Sequence, residues 1–267
     1  MLKVATWNIN SVRLRIDLVI QFLLDHQPDV LCLQETKTQD QFFPRLAFEK
    51  IGYPYLYFTG MKSYNGVAII SKQPLSECEI INHCDKQDCR HIIAKHSSGI
   101  KIHSIYIPAG GDIPDAQENE KFAHKLGFVN ALGDYFANDK VVNQSQILLG
   151  DFNIAPHEND VWSHKQLLKI VSYTPVEVDH LNKFKETGGF IDVSRALERD
   201  DEKLYSWWSY RAKDWEKSDR GRRLDHIWTS KDLKQNITSY ELLKEARGWK
   251  PKPSDHVPVI VELKDVA

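Results

Sequence analysis

Pro28-Asp29-Val30-Leu31-Cys32-Leu33-Gln34-Glu35-Thr36-Lys37 opens on a helix breaker, runs through a continuous apolar stretch and ends in a carboxylate and a cation. An unbroken apolar run of this length predicts a buried strand over residues 29–33. Upstream, Val4-Ala5-Thr6-Trp7-Asn8-Ile9 reads as another strand, and Ile16, Val19, Ile20, Leu23 and Leu24 recur between the two at helical spacing. Downstream, strands are expected around Tyr55–Thr59 and Val67–Ser71, and a hairpin joins His91–His96 to Ile100–Ile107 through Ser97-Ser98-Gly99. Phe122, Leu126, Val129, Leu132 and Phe136 mark a long helix. A strand over Ile147–Leu149, a helix near Lys165–Val171 and strands over Tyr205–Tyr210, Leu224–Thr229 and Val257–Leu263 complete the reading. No linker, repeat or low-complexity segment interrupts it, so one domain over residues 1–267 is expected, with sheets covered by helices. Mixed hairpins and crossovers argue against a purely parallel dinucleotide-binding sheet. GxGxxG and GxxxxGK[ST] are both missing from the sequence.

Composition narrows the class. The 267 residues are 42% hydrophobic and 27% charged with a net charge of -2, which excludes disorder as the main state. The richest apolar stretch, Leu18 to Leu24, contains Gln21 and falls far short of the roughly 20 residues a membrane span needs. Met1-Leu2-Lys3 leads straight into a strand pattern, so no signal peptide is expected, and a cytoplasmic protein without membrane association is. A sequence pI near 6.6 means that any polyanion site must be local. One such region exists: between Tyr205 and Arg223 six basic residues face three acidic ones, with Trp207, Trp208, Tyr210 and Trp215 interleaved. Aromatic planes beside cations suit exposed bases or sugars. One member of the Trp207-Trp208 pair belongs in the core, because neighbours on a strand face opposite ways. Cys32, Cys78, Cys84 and Cys89 form no CxxC pair. The spacing from His83-Cys84 to Cys89-Arg90-His91 matches no common zinc template and reads as a polar hairpin loop.

The chemistry is written where the apolar runs end. Thr6-Trp7-Asn8-Ile9-Asn10, Leu33-Gln34-Glu35-Thr36-Lys37, Leu149-Gly150-Asp151-Phe152-Asn153 and Pro253-Ser254-Asp255-His256 each pass abruptly into carboxylates, amides or His, and Asp225 sits inside the apolar strand Arg223-Leu224-Asp225-His226. Any one such residue is ordinarily a cap or a turn. Five in one domain favour a shared site at one rim of the sheets, since buried carboxylates need partners. The oxygens of Asn8, Glu35, Asp151, Asn153 and Asp255 are the set for a hard cation, Mg2+ or Mn2+. Mg2+ commonly works through one or two carboxylates plus a substrate phosphate, which points to phosphoester chemistry.

Taken in order, Pro28 to Lys37, Gly150-Asp151-Phe152-Asn153 and Lys252-Pro253-Ser254-Asp255-His256-Val257-Pro258-Val259 resemble the exonuclease III family of abasic-site endonucleases, within the endonuclease/exonuclease/phosphatase superfamily. Tyr106-Ile107-Pro108 and Ser206-Trp207-Trp208-Ser209-Tyr210-Arg211 extend the likeness, which runs from Thr6 to Val261. It implies an α/β fold, a four-layer αββα sandwich of two packed mixed sheets flanked by helices. It further implies Mg2+-dependent cleavage 5′ to an abasic site, with 3′-end trimming. The partner is then double-stranded DNA bearing abasic sites or blocked 3′ ends, and a monomer is expected to act on it. Glu35 becomes the main metal carboxylate, with Asn8, Asp151, Asn153, Asp255 and His256 around the same centre. Asp151 moves a proton, from the attacking water or to the departing 3′ oxygen. Asn153 holds Asp151 and the phosphate, His256 meets the phosphate oriented by Asp225, and Tyr106 donates to a phosphate oxygen. Trp207 and Leu224 line the pocket for the flipped sugar, with DNA contacts also from Arg13, Lys37, Arg211 and Arg222. Related phosphodiesterases for inositol phosphates or sphingomyelin share the metal and His chemistry but not Gln34-Glu35-Thr36-Lys37 followed by Trp207 to Arg211. Two departures stand out: Arg222 where relatives carry an apolar or aromatic pocket residue, and Asp112 after Ala109-Gly110-Gly111 where some place a base that wedges DNA.

Overall fold

Alternation along the central strands decides the layering. The computed structural model describes residues 1–266, Asp139 through its backbone alone. On β1 (Leu2–Asn8), β2 (Val30–Gln34) and β4 (Tyr64–Ser71), the residues Ala5, Trp7, Leu31, Leu33, Ala68 and Ile70 share one core with Leu18, Val19, Phe22 and Leu23 of the helix Ile16–His26. Their neighbours Val4, Val30, Cys32, Val67 and Ile69 point the opposite way, into a second core. That core is completed by Ile92 on β6 (His91–Lys95), Ile102 on β7 (Lys101–Tyr106), Ile147 and Leu149 on β8 (Gln146–Asp151) and Ile227 on β12 (Asp225–Ser230). Ile105, Leu148 and Trp228 on the far side of those strands pack on the helices Glu120–Phe136 and Pro175–Thr187. Helix, sheet, sheet, helix is the expected four-layer order, and period-two burial produces it.

The first sheet adds β3 (Tyr55–Met61), β13 (Ile237–Leu242) and β14 (Val259–Leu263) in the order β13-β14-β1-β2-β4-β3. The second adds β5 (Ser76–Ile80) and β9 (Phe190–Asp192) in the order β5-β6-β7-β8-β12-β9. Only β1 with β2 and β7 with β8 run parallel; each pair is joined by a crossover helix, so their C-terminal ends fall at one rim. Register brings the polar ends together. Asn8 lies opposite Gln34 beside Glu35, and Asp151 lies between Tyr106 and Asp225. Between the sheets, Thr6 Oγ1 donates to Gln34 Oε1 at 3.1 Å and Gln34 Nε2 to Ser104 Oγ at 3.1 Å, a polar stitch that leads to the same rim.

Three expectations change. The strand over Tyr205–Tyr210 shrinks to β10 (Trp207–Trp208), paired with β11 (Gly221–Arg222). Ser206 N donates to Arg222 O while Trp208 N donates to Asp255 O, so the segment divides its backbone bonds between two partners and cannot extend as one ladder. The helix near Lys165–Val171 is the single turn His164–Leu167, and Ser172 breaks off in the left-handed region at φ 85°. The helix Pro175–Thr187 was not expected, although Thr174 and Glu177 close a capping box around Pro175. Residues 83–91 do form a loop, but its histidines turn inward. The rings of His83, His91 and His103 hydrogen-bond in a chain, 3.0 Å at each link. Trp208 is buried and Trp207 is not, as the alternation requires, and no helix among the described residues is long and apolar enough to cross a membrane.

Gly150 fixes how closely β7 approaches the strand that carries Asp151. A Cβ at this position would stand 1.8 Å from Ile105 O, a backbone atom with no room to retreat. Gly150→Ala is therefore expected to cost about 3 kcal/mol or more, lowering the melting temperature by roughly 6 °C or more. An unchanged thermal melt would mean that the two strands part freely at this point.

Candidate active site

Strand ends make the site, and several of its residues leave their strands through left-handed turns. Asn10 (φ 47°), Glu35 (φ 51°), Lys37 (φ 50°) and Asn153 (φ 53°) all have positive φ. Asparagine tolerates this; for Glu35 and Lys37 it costs of order 1–3 kcal/mol each, which the surroundings must offset. They do so with backbone bonds: Ser11 N to Glu35 O at 2.7 Å and Lys37 N to Asn65 O at 2.9 Å. The turns aim Glu35 and Asn153 across the rim rather than along it.

At the centre, the Asn8 amide donates to Glu35 Oε1 at 2.9 Å and to Asp151 Oδ2 at 2.8 Å, tying a carboxylate of each sheet to one group. Asp151 also accepts from Asn153 N at 2.9 Å and Asn153 Nδ2 at 3.1 Å. Tyr106 OH donates to Glu35 Oε1 at 3.0 Å. His256 donates through Nδ1 to Asp225 Oδ2 at 2.8 Å, and its Nε2 stands 3.7 Å from Asp151 Oδ2. Ser206 Oγ accepts from the backbone N–H of Leu224 and of Asp225, and Trp7 Nε1 donates to His256 O, so both partners are held by their backbones too.

Burial and neighbouring charge set the protonation states. Burial, with the charges of Asp225 and Glu35, pushes Asp151 up to about 7 against the pull of His256. Burial works against charge on His256, but the Asp225 and Asp151 carboxylates outweigh it and lift the imidazole to about 10. Burial likewise opposes charge on Glu35, yet the Lys37 ammonium at 2.6 Å and the Asn8 amide keep it below the ordinary carboxylate range. Burial and the Glu35 and Asp151 charges hold the Tyr106 hydroxyl protonated well above the usual phenol range.

Glu35, Asp151 and His256 bring ligand atoms within 4.8 Å of one another, and they are the metal-capable group found among the described residues. Two crowded carboxylates, one already pushed up by its neighbours, suit a divalent cation. The other expected ligands are placed differently. Asn8 turns its NH2 to the carboxylates, while its oxygen accepts from Asn10 N at 3.1 Å. Asn153 faces Asp151 as a donor. Asp255 has both oxygens engaged, by Asn10 Nδ2 and by the Trp207 indole N–H, each at 3.0 Å, so it orients Trp207 instead of joining the cluster.

A cavity of about 720 Å³ opens beside His256 and Asn153, lined by Trp207, Leu224, Arg211, Arg222 and Trp162 among others. The expected pocket residues Trp207 and Leu224 are thus in place, and Arg211 and Arg222 join them. Arg13 does not line the cavity; it is exposed with its guanidinium 5.8 Å from the Phe42 ring. Lys37, expected on DNA, is paired with Glu35 and donates to Asn10 Oδ1 at 2.7 Å.

Sequence reasoning missed the residues that hold the site from behind. Arg15 is buried and donates to the carbonyls of Ile9, Asn10 and Lys252 and to Tyr210 OH, clamping the loop after β1 to the segment before Asp255. Arg90 lies over the Tyr106 ring, 4.7 Å from its centroid, and pairs with Asp88 at 2.5 Å. Lys125 and Glu177 form a fully buried ion pair at 2.5 Å, and Lys125 Nζ donates to Asn153 O at 2.8 Å. Of these, only Glu177 carried a local signal, the capping box Thr174-Pro175-Val176-Glu177.

Known proteins of the same build match this chain along its whole length. Residues 5–256 match the endonuclease/exonuclease/phosphatase family. Exodeoxyribonuclease III of Haemophilus influenzae is 29% identical, across 98% of this chain and 100% of that protein. The exodeoxyribonuclease of Bacillus subtilis is 28% identical, across 97% and 98%. An AP endonuclease from Archaeoglobus fulgidus superposes with a TM-score of 0.92 at 33% identity, covering 99% of this chain and 100% of that one. The 3′ phosphatase NExo from Neisseria, bound to a product DNA hairpin, superposes at 0.90 with 29% identity, covering 99% and 100%. With the family match spanning the site and relatives matching end to end, this chain belongs to the endonuclease/exonuclease/phosphatase family, in its exonuclease III and AP endonuclease branch.

Proposed function

We propose that this chain is a Mg2+-dependent DNA repair nuclease that hydrolyses the phosphodiester 5′ to an abasic site in duplex DNA, leaves a 3′-OH, and also trims 3′ ends. The observation that carries the reading is the trio of Glu35, Asp151 and His256 at the edge of a cavity walled by Trp207 and Leu224. The exodeoxyribonuclease, AP endonuclease and 3′ phosphatase relatives support the same chemistry.

Glu35 and Asp151 would hold the divalent cation, which when bound supplies positive charge toward a phosphate oxygen. Asp151, held by Asn8 and Asn153 and facing His256, is placed to serve as acid or base for the attacking water or the departing 3′ oxygen. His256, kept cationic by Asp225, offers an N–H to the charge that grows on the phosphoryl oxygens. The Tyr106 hydroxyl stays protonated and is a second donor. Asn153 fixes Asp151 through two bonds, so the proton acceptor is oriented before substrate arrives. A baseless sugar is the least costly nucleotide to turn out of the stack, and the Trp207 and Leu224 wall receives it.

Three outcomes are expected. Incision of a duplex with an abasic analogue stops in EDTA and returns with Mg2+ or Mn2+, and Glu35→Gln lowers the Mg2+ rate by about 10² or more; full activity in EDTA would end the metal assignment. Asp151→Asn and His256→Asn each slow single-turnover cleavage by about 10² to 10⁴ while duplex affinity is largely kept, His256→Asn with a lowered thermal melt because Asp225 loses its buried partner, and parental turnover in either variant removes that residue from the reaction. The Asp225–His256 pair adds a pH signature. His256 is raised from an ordinary value near 6.5 to about 10, so the stability it contributes is complete below 6.5 and is lost as pH rises through 10. Denaturation in EDTA should therefore show Asp225→Asn destabilised most at pH 6, with the gap narrowing toward pH 10. A gap independent of pH would exclude Asp225 as the source of the imidazolium.

A further inference from the structure

An ammonium shut away from water must spend every N–H on protein. Lys125, on the helix Glu120–Phe136, is fully buried, and its Nζ donates to Glu177 Oε1 at 2.5 Å, to Asn153 O at 2.8 Å and to Ala109 O at 3.2 Å. All its N–H groups are thereby used. Burial pulls the amine below the ordinary lysine range, against the opposing charge of Glu177. Stability alone does not call for such a pair, since well-packed apolar residues at both positions are often no worse. What apolar residues could not do is hold two backbone carbonyls.

Those carbonyls belong to two walls of the site. Asn153, two residues past β8, turns in the left-handed region at φ 53°, and its side-chain amide donates to Asp151 Oδ2 at 3.1 Å and to Ile107 O at 2.9 Å. Ala109 begins the loop Ala109-Gly110-Gly111-Asp112 along the cavity. Gly110 lies flat against the lysine stem: its φ is 91°, and a Cβ there would stand 2.8 Å from Lys125 Cδ. Asn119, the N-cap of the same helix, donates to Gly110 O at 2.9 Å and to Ile113 O at 2.6 Å, so the helix grips this loop at a second point. On its remaining side Lys125 meets Glu177, whose oxygens accept from Ser172 N at 2.9 and 3.0 Å. One buried nitrogen therefore sets the mutual positions of Asn153, the loop and the Ser172 turn.

We propose that Lys125 is a positioning residue for this reaction: by fixing Asn153 O and Ala109 O to one buried point, it sets the pose in which the Asn153 amide orients Asp151. This rests on the reading of the centre as a phosphodiesterase acting on DNA. Lys125 does not line the cavity, so its influence travels through the backbone of Asn153. A small misplacement of a reacting group is felt in the rate of the bond-breaking step. Duplex binding is spared, because Asn119 holds the loop independently.

A set of variants separates positioning from stability, assayed on an abasic duplex in Mg2+ below the lowest melting temperature of the set. Lys125→Met removes the donor and strands the Glu177 charge. Lys125→Met with Glu177→Gln removes the donor but relieves that charge. Glu177→Gln alone breaks the ion pair yet leaves an amine on Asn153 O. Leu132→Ala hollows the apolar core behind the same helix and touches nothing at the site. Both proteins carrying Lys125→Met should lose about tenfold to a hundredfold in single-turnover cleavage rate, with parental affinity for the duplex in EDTA. The loss should persist in the double variant although its melt recovers in part. Glu177→Gln and Leu132→Ala should melt lower and keep the parental rate. A rate that follows the melting temperature across the set, or returns with the melt in the double variant, would make Lys125 purely structural and overturn the proposal, as would a parental rate in Lys125→Met. Should Lys125→Met fail to fold, the double variant set against Glu177→Gln decides by the same comparison. A parent inactive on the duplex would overturn the nuclease reading itself, and this inference with it.

Discussion

One primary amide joins the two halves of the molecule at the point where chemistry is expected. The Asn8 NH2 group reaches Glu35 from the first sheet and Asp151 from the second, with its own oxygen held by Asn10 N. Packed sheets stand about 10 Å apart, and elsewhere between them the contacts are largely aliphatic. Along Thr6, Gln34 and Ser104, and then at Asn8, at Tyr106 with Glu35 and at His256 with Asp225, polar contacts cross from one to the other. Two carboxylates drawn this close repel, and what makes the approach tolerable is the surrounding ring of donors: Asn8, Asn153, Tyr106, Lys37 and His256. The rim is a balanced electrostatic cluster, and the apolar layers exist in register to deliver its members.

Much of that delivery was legible in the chain. Apolar runs ending in Asn8, Glu35, Asp151 and His256 named the rim before any contact was known, because strands buried on both faces have few other ways to carry a carboxylate. The four-layer order followed from the resemblance, and the burial pattern bears it out. What stayed hidden is non-local. Arg15 has its partners beside residues 210 and 252, and Lys125 has its partner at 177, distances in sequence that no periodicity reports. The Lys37–Glu35 pair was hidden too, because nothing local says that the turn at Glu35 folds its own neighbour back onto it. The helix Pro175–Thr187 was missed for another reason: its buried face is only Glu177, Leu181 and Phe184, too sparse to register as an apolar stripe, so the capping box was the sole clue.

The same logic explains how a chain with a net charge of -2 can address a polyanion. Its cations are not spread as a field. Lys37 is paired with Glu35, Lys125 with Glu177, and Arg223 with Asp160 and Asp192, while Arg211, Arg220 and Arg222 line a single cavity. Three cations beside the reaction centre, between the apolar walls of Trp162 and Trp207, give a local attraction for a polyanion that the net charge does not report.

The Lys125–Glu177 pair has a consequence for how this sequence can drift. Breaking a buried ion pair at one end typically costs about 3–5 kcal/mol, whereas replacing both members by well-packed apolar residues is often harmless to stability. Positions 125 and 177 should therefore change together or not at all. Even a joint apolar replacement would leave Asn153 O without its ammonium and Ser172 N without its carboxylate. Two helices of the outer layer are thus tied together through the groups they hold at Asn153 and Ser172, and paired substitution between them is the expected signature of that tie.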